Sequence, residues 1–100
     1  MPIEINTSLY PSQAKFVLWI EEKTPYLMHL FDIEDRVYNA KKVEKYLSVA
    51  SSGEVVMARF VLSVWRGDND FKFDITEAAR CLDEAQMKIV TDWLTSPFWP

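Results

Sequence analysis

A mainly α fold, with several helices packed around one central apolar helix at about 54–66 and a small β patch at one edge, is what the sequence predicts. Three observations carry that expectation. The 100 residues include only two glycines and five prolines, too few for a turn-rich β architecture. Alanine, glutamate, lysine and leucine recur in long stretches without a helix breaker. Polar side chains of the kind that close helix N-termini, at Asn39, Ser51 and Asp83, stand directly before runs with helical apolar spacing. An α+β fold is the alternative. One domain over 1–100 is expected, with an arm at 1–11 and an aromatic tail at 96–100.

In the arm, Ile3 and Ile5 alternate with Glu4 as in a short strand, and Asn6, Thr7, Ser8 and Pro11 signal a turn. Ser12 is placed to cap a helix running to about Lys23. The block Phe16, Val17, Leu18, Trp19 and Ile20 also suits a buried strand, and helix is preferred. Thr24 and Pro25 read as an N-cap and a first helical position, where proline's missing N–H is no loss, opening a short helix that carries Tyr26, Leu27, Met28, Leu30 and Phe31. Asp32, Glu34 and Asp35 fall on the connection beyond it.

From Asn39, an N-cap, Ala40, Val43, Leu47 and Ala50 repeat at helical spacing with Lys41, Lys42, Glu44, Lys45 and Ser48 on the other side. Tyr38 and Val43 are spaced as a hydrophobic staple, and the helix should end near Ser51. Ser51 and Glu54 then have the spacing of a capping box, in which each side chain satisfies the other's free backbone N–H. The helix that follows runs to Arg66, with Gly67 as its left-handed terminator. At about 100° per residue, Arg59, Ser63 and Arg66 form one narrow stripe and every other position from 55 to 65 is apolar. Such a helix is either the centre of the domain or one side of an oligomer contact.

Asp68, Asn69 and Asp70 make a polar turn, and Phe71, Lys72 and Phe73 alternate as an extended piece able to pair with the arm or with 36–38. Thr76 caps a short helix holding Ala78, Ala79 and Leu82, and Asp83 with Gln86 opens another capping box. The last helix, 84–95, puts Met87, Val90, Trp93 and Leu94 on one side with Ile89 beside them. Pro97 stops it before Phe98, Trp99 and Pro100.

Composition narrows the function. A formal net charge of -4 disfavours a duplex-wide nucleic-acid binder, whose affinity comes from Lys and Arg on phosphates. The longest apolar stretch, 55–65, is interrupted by Arg59 and Ser63 and falls short of the ~20 residues that cross a bilayer. With one cysteine, no signal-like start and no span, a cytoplasmic location is expected. His29 and Cys81 are the only imidazole and thiol, so one chain cannot assemble a zinc site; both read as structural, although Arg80 beside Cys81 could activate the thiol. The carboxylates at 21–22, 32–35 and 68–70 lack the spacing of a calcium loop, and no nucleophile or phosphate-loop motif occurs, so no catalytic residue, metal or cofactor is expected.

The stretch 74–83, with Thr76, Ala78, Ala79 and Leu82, followed by the helix to Leu94, resembles a helix-turn-helix pair over about twenty residues, without its turn glycine. That resemblance implies DNA reading, with Lys41, Lys42 and Lys45 as phosphate contacts if they share the face. Its would-be recognition helix sets Glu84 and Asp92 against Lys88 alone.

Aromatic residues make up 14% of the chain, more than one small core needs, and tryptophan dominates binding hot spots. The leading expectation is a non-enzymatic domain that self-associates or binds another protein through Val61, Trp65, Phe98 and Trp99. A nucleic-acid-binding regulator is the alternative, and a small-molecule binder or enzyme with a pocket of tryptophans and carboxylates comes third.

Overall fold

The computed structural model describes residues 10–100, so the expected strand at 3–5 and most of the arm lie outside the described residues. The described chain is mainly α with one small β patch. It runs α1 (Pro11–Lys23), a 3-10 helix (Pro25–Leu30), β1 (Phe31–Asp32), β2 (Val37–Tyr38), α2 (Ala40–Val49), α3 (Ser52–Arg66), α4 (Ile75–Cys81) and α5 (Glu84–Thr95). No helix among the described residues is long and apolar enough to cross a membrane.

Residues 16–20 are helical, because the side chains that are buried are Phe16, Val17 and Ile20, a stripe of i, i+1 and i+4 rather than an alternation. The helix begins two residues earlier than Ser12 suggests. Pro11 takes its first position, and the Gln13 side chain accepts from the Tyr10 N–H at 3.3 Å. Thr24 stands at the N-cap position with Pro25 first in the helix, as expected, but its side chain is buried and makes no cap hydrogen bond, and the segment winds as a 3-10 helix.

The β patch differs from the expected one. Phe31 pairs antiparallel with Tyr38 and Asp32 with Val37, across a four-residue turn whose last residue, Arg36, has φ 57. Residues 71–73 are not a strand, because their backbone groups are already engaged. The Arg59 guanidinium donates to the Phe71 carbonyl at 2.8 Å, and the Asn69 side chain accepts from Phe73 N–H at 2.9 Å and donates to its carbonyl at 3.3 Å. Lys72, at φ 58, turns the chain rather than extending it.

Asn39 caps α2 by accepting from Lys42 N–H at 3.0 Å, and the helix ends at Val49. Both halves of the Ser51–Glu54 capping box are formed, and Gly67 ends α3 at φ 73. The cap of α4 is Asp74 instead of Thr76; its carboxylate accepts from Thr76 and Glu77 N–H at 2.8 and 3.0 Å. Asp83 and Gln86 close the start of α5.

α3 is the central helix. Val56, Met57, Ala58, Phe60, Val61, Leu62 and Val64 are buried, and all of them but Val56 share one core with Phe16 and Ile20 of α1, Leu27 and Leu30 of the 3-10 helix, Val43 of α2 and Val90 and Trp93 of α5. The expected polar stripe is covered by the 68–73 loop, which Arg59 holds at Phe71 and Arg66 holds at Asp68 and Asp70. The apolar girth of this helix is thus satisfied inside the chain's own core.

Candidate functional site

Aromatic rings form a continuous path from the β patch to the far end of α5. Phe16 meets Phe31 and Trp65 at 5.3 and 4.9 Å between centroids and Trp19 at 5.8 Å; Trp19 meets Phe60, which meets Trp93, which meets Trp99 at 5.0 Å. Edge-to-face and tilted packing of this kind holds each ring in one orientation. Only the last ring of the path leaves the core.

The four residues singled out in the sequence therefore separate. Val61 is 0% exposed and Trp65 packs between Phe16 and Phe31, so both support the surface from within. Phe98 docks edge-on against Trp19 at 5.3 Å with the Lys15 ammonium over its ring, and its carbonyl accepts from Trp93 Nε1 at 3.2 Å. The Pro100 carbonyl accepts from the Ser12 hydroxyl at 3.2 Å. Residues 98–100 thus dock on their own domain. Trp99 stays 56% exposed even so, its ring beside Gly67, where only a glycine takes the left-handed turn without penalty.

Trp99 walls a cleft of about 210 Å³ together with Phe60, Val64, Phe73, Trp93 and Leu94, rimmed by Ser63, Asp68 and Asn69. Leu94, expected on the buried side of its helix, is 47% exposed at the cleft's edge. Sequence reasoning missed Leu94 and Phe73 as surface residues, since helical angle groups Leu94 with the buried Val90 and Trp93. Polar atoms at the rim are engaged: Asp68 and Asp70 by Arg66, and Asn69 by Phe73. The Arg66 contact holds the Asp68 carboxyl below its ordinary pKa, with the Asp70 backbone N–H helping. What remains open to a partner is apolar.

The chain matches no family model, no curated protein and no solved structure.

Other candidates fare differently. Among the described residues no three His, Cys, Asp or Glu side chains converge as a metal site. His29, on the 3-10 helix, packs on Tyr46 at 5.6 Å, while Cys81 ends α4 with its carbonyl against Gly53, so imidazole and thiol belong to different surroundings. In the α4–α5 pair, Lys88 is the only cation of α5 and is held by Asp92 at 2.9 Å, which leaves that helix no free charge for phosphate.

Proposed function

We propose that this chain is a non-enzymatic self-associating domain in which two copies meet through the surface around Leu94 and Trp99. One observation carries the reading. A knob and a hole lie in the same patch: two large apolar side chains, 47% and 56% exposed, stand at the edge of an apolar cleft with no free polar group. A two-fold contact needs a self-complementary patch, because each copy must present both halves of the fit.

The dimensions favour a side chain over a metabolite as occupant. Small-molecule sites run to roughly 300–1,000 Å³, whereas this cleft has about 210 Å³, room for one large apolar side chain. Charge supports a second copy as well. The carboxylates nearest the cleft, Asp68 and Asp70, share Arg66, which cuts their charge to a single net negative unit, so two copies meet less repulsion here than two bare carboxylates each would give.

Sedimentation equilibrium tests the reading. A dimer is expected at micromolar concentration, weakened at least ~30-fold by Leu94→Glu, the effect of losing a hot spot of about 2 kcal/mol. Val49→Glu, at a residue 73% exposed outside the cleft, should leave the dimer intact. A wild-type chain that stays monomeric at high micromolar concentration overturns the proposal.

A further inference from the structure

On the face of α2 that meets the 3-10 helix lies a second concavity, about 340 Å³, lined by His29, Lys42, Lys45, Tyr46 and Val49. At 100° per residue, positions 42, 45, 46 and 49 fall within an arc of about 100°, so one helix face supplies both ammonium groups, a ring and an aliphatic wall. Glu44 points to the opposite flank.

The charge pattern is unusual for a chain of net charge -4. Lys23, Arg66 and Lys88 are each paired with a carboxylate, but among the described residues neither Lys42 nor Lys45 has an ion-pair partner. Lys41 flanks them, and like charges three and four residues apart on a helix repel. The nearby carboxylate, Glu54, lies behind Tyr46 and is engaged by the Ser51 N–H and hydroxyl and by the Tyr46 hydroxyl. It does not neutralise the lysines.

The fourth polar group is His29. Its Nδ1 lies 2.9 Å from the Tyr26 carbonyl, which can only accept, so Nδ1 carries the proton and Nε2 is the nitrogen left for a ligand. A neutral Nε2 accepts from a hydroxyl, and a protonated one donates to an oxyanion. Two ammonium groups, an imidazole edge, an aromatic ring and a valine match a small anion with several oxygens joined to a compact apolar body.

We propose that this groove binds a small phosphate monoester, its phosphate between Lys42 and Lys45 and within reach of His29 Nε2, and its organic part on Tyr46 and Val49. The site is separate from the surface around Trp99, so the two proposals stand or fall independently.

Titration of the full chain with phenyl phosphate, followed by amide NMR, tests it. Saturable shifts are expected in the 3-10 helix and α2, weaker with inorganic phosphate and lost with benzyl alcohol. Lys42→Met and Lys45→Met should each weaken phenyl phosphate about tenfold, with circular dichroism unchanged, since both side chains are exposed. His29→Phe, which keeps a ring and removes Nε2, should also weaken it. Shifts that do not saturate, or that appear equally at Lys15 and Lys72, overturn the proposal. So does tighter binding, through the same lysines, of a short oligonucleotide or of phosphatidylserine vesicles.

Discussion

Tyr46 joins the capping box of α3 to the groove on α2, and its phenol registers both. Burial, with the Glu54 carboxylate next to it, pushes its pKa up from 10.0 to about 12. The protonated phenol is therefore held more tightly in the folded chain than in the unfolded one. Its stabilising contribution is complete below the unfolded value of 10.0 and is lost as pH rises through about 12. Glu54→Gln removes the neighbouring charge, so Tyr46 should titrate closer to the ordinary tyrosine value, read from its ring Cζ chemical shift against pH. An unchanged titration in the variant would show that Glu54 has no part in the shift. The carboxylates of Glu54 and Asp74 move the other way, lowered by the hydrogen bonds each accepts at its cap, from Ser51 and from Glu77 and Thr76 respectively. What they contribute is present above their ordinary range and disappears as pH falls through the lowered values.

At the scale of the element, caps should matter more than propensity in the short helices, because a helix of ten residues such as α2 is marginal alone. Asn39→Ala should cost about 1 kcal/mol in urea unfolding with an unchanged slope, and Asn39→Ser should retain most of it. These caps were legible in the sequence because their geometry is decided within four residues: Asn39, Ser51 with Glu54, Gly67, and Asp83 with Gln86 all stand where the pattern puts them. What the sequence hid was decided at longer range or between neighbours of equal aptitude. Phe71 and Phe73 alternate like a strand, but an arginine twelve residues earlier takes the Phe71 carbonyl. Asp74 and Thr76 can both cap, and the carboxylate reaches two N–H groups at once. The proposed association surface was half legible. Trp99 stands out as an aromatic residue beyond the stop at Pro97, whereas Leu94 carries the angular signature of a core residue. The groove on α2 was hidden altogether, since His29 and the lysines meet only once the 3-10 helix packs beside α2.

Across the whole molecule, the core and the proposed association surface share α3 and α5 and yet should separate by mutation. Val61 is fully enclosed, and truncating it removes two buried carbons and leaves a void. Val61→Ala should therefore destabilise the fold by about 2 kcal/mol, taking roughly 0.8 kcal/mol per buried carbon and adding the cavity. It should not change the affinity of one copy for another, because no part of its side chain reaches the cleft. Trp99 is the reverse case: its ring touches Trp93 and Gly67 on one side and solvent on the other, so Trp99→Ala gives up less than half of a tryptophan's burial, opens no internal void, and removes half of the self-complementary fit. Urea unfolding and sedimentation equilibrium on the two variants, each above and below the dimer's dissociation constant, separate the terms. If Val61→Ala loosened the dimer as much as Trp99→Ala at equal folded fraction, the contact would have to run through α3, and the patch around Leu94 would lose its claim to be the interface.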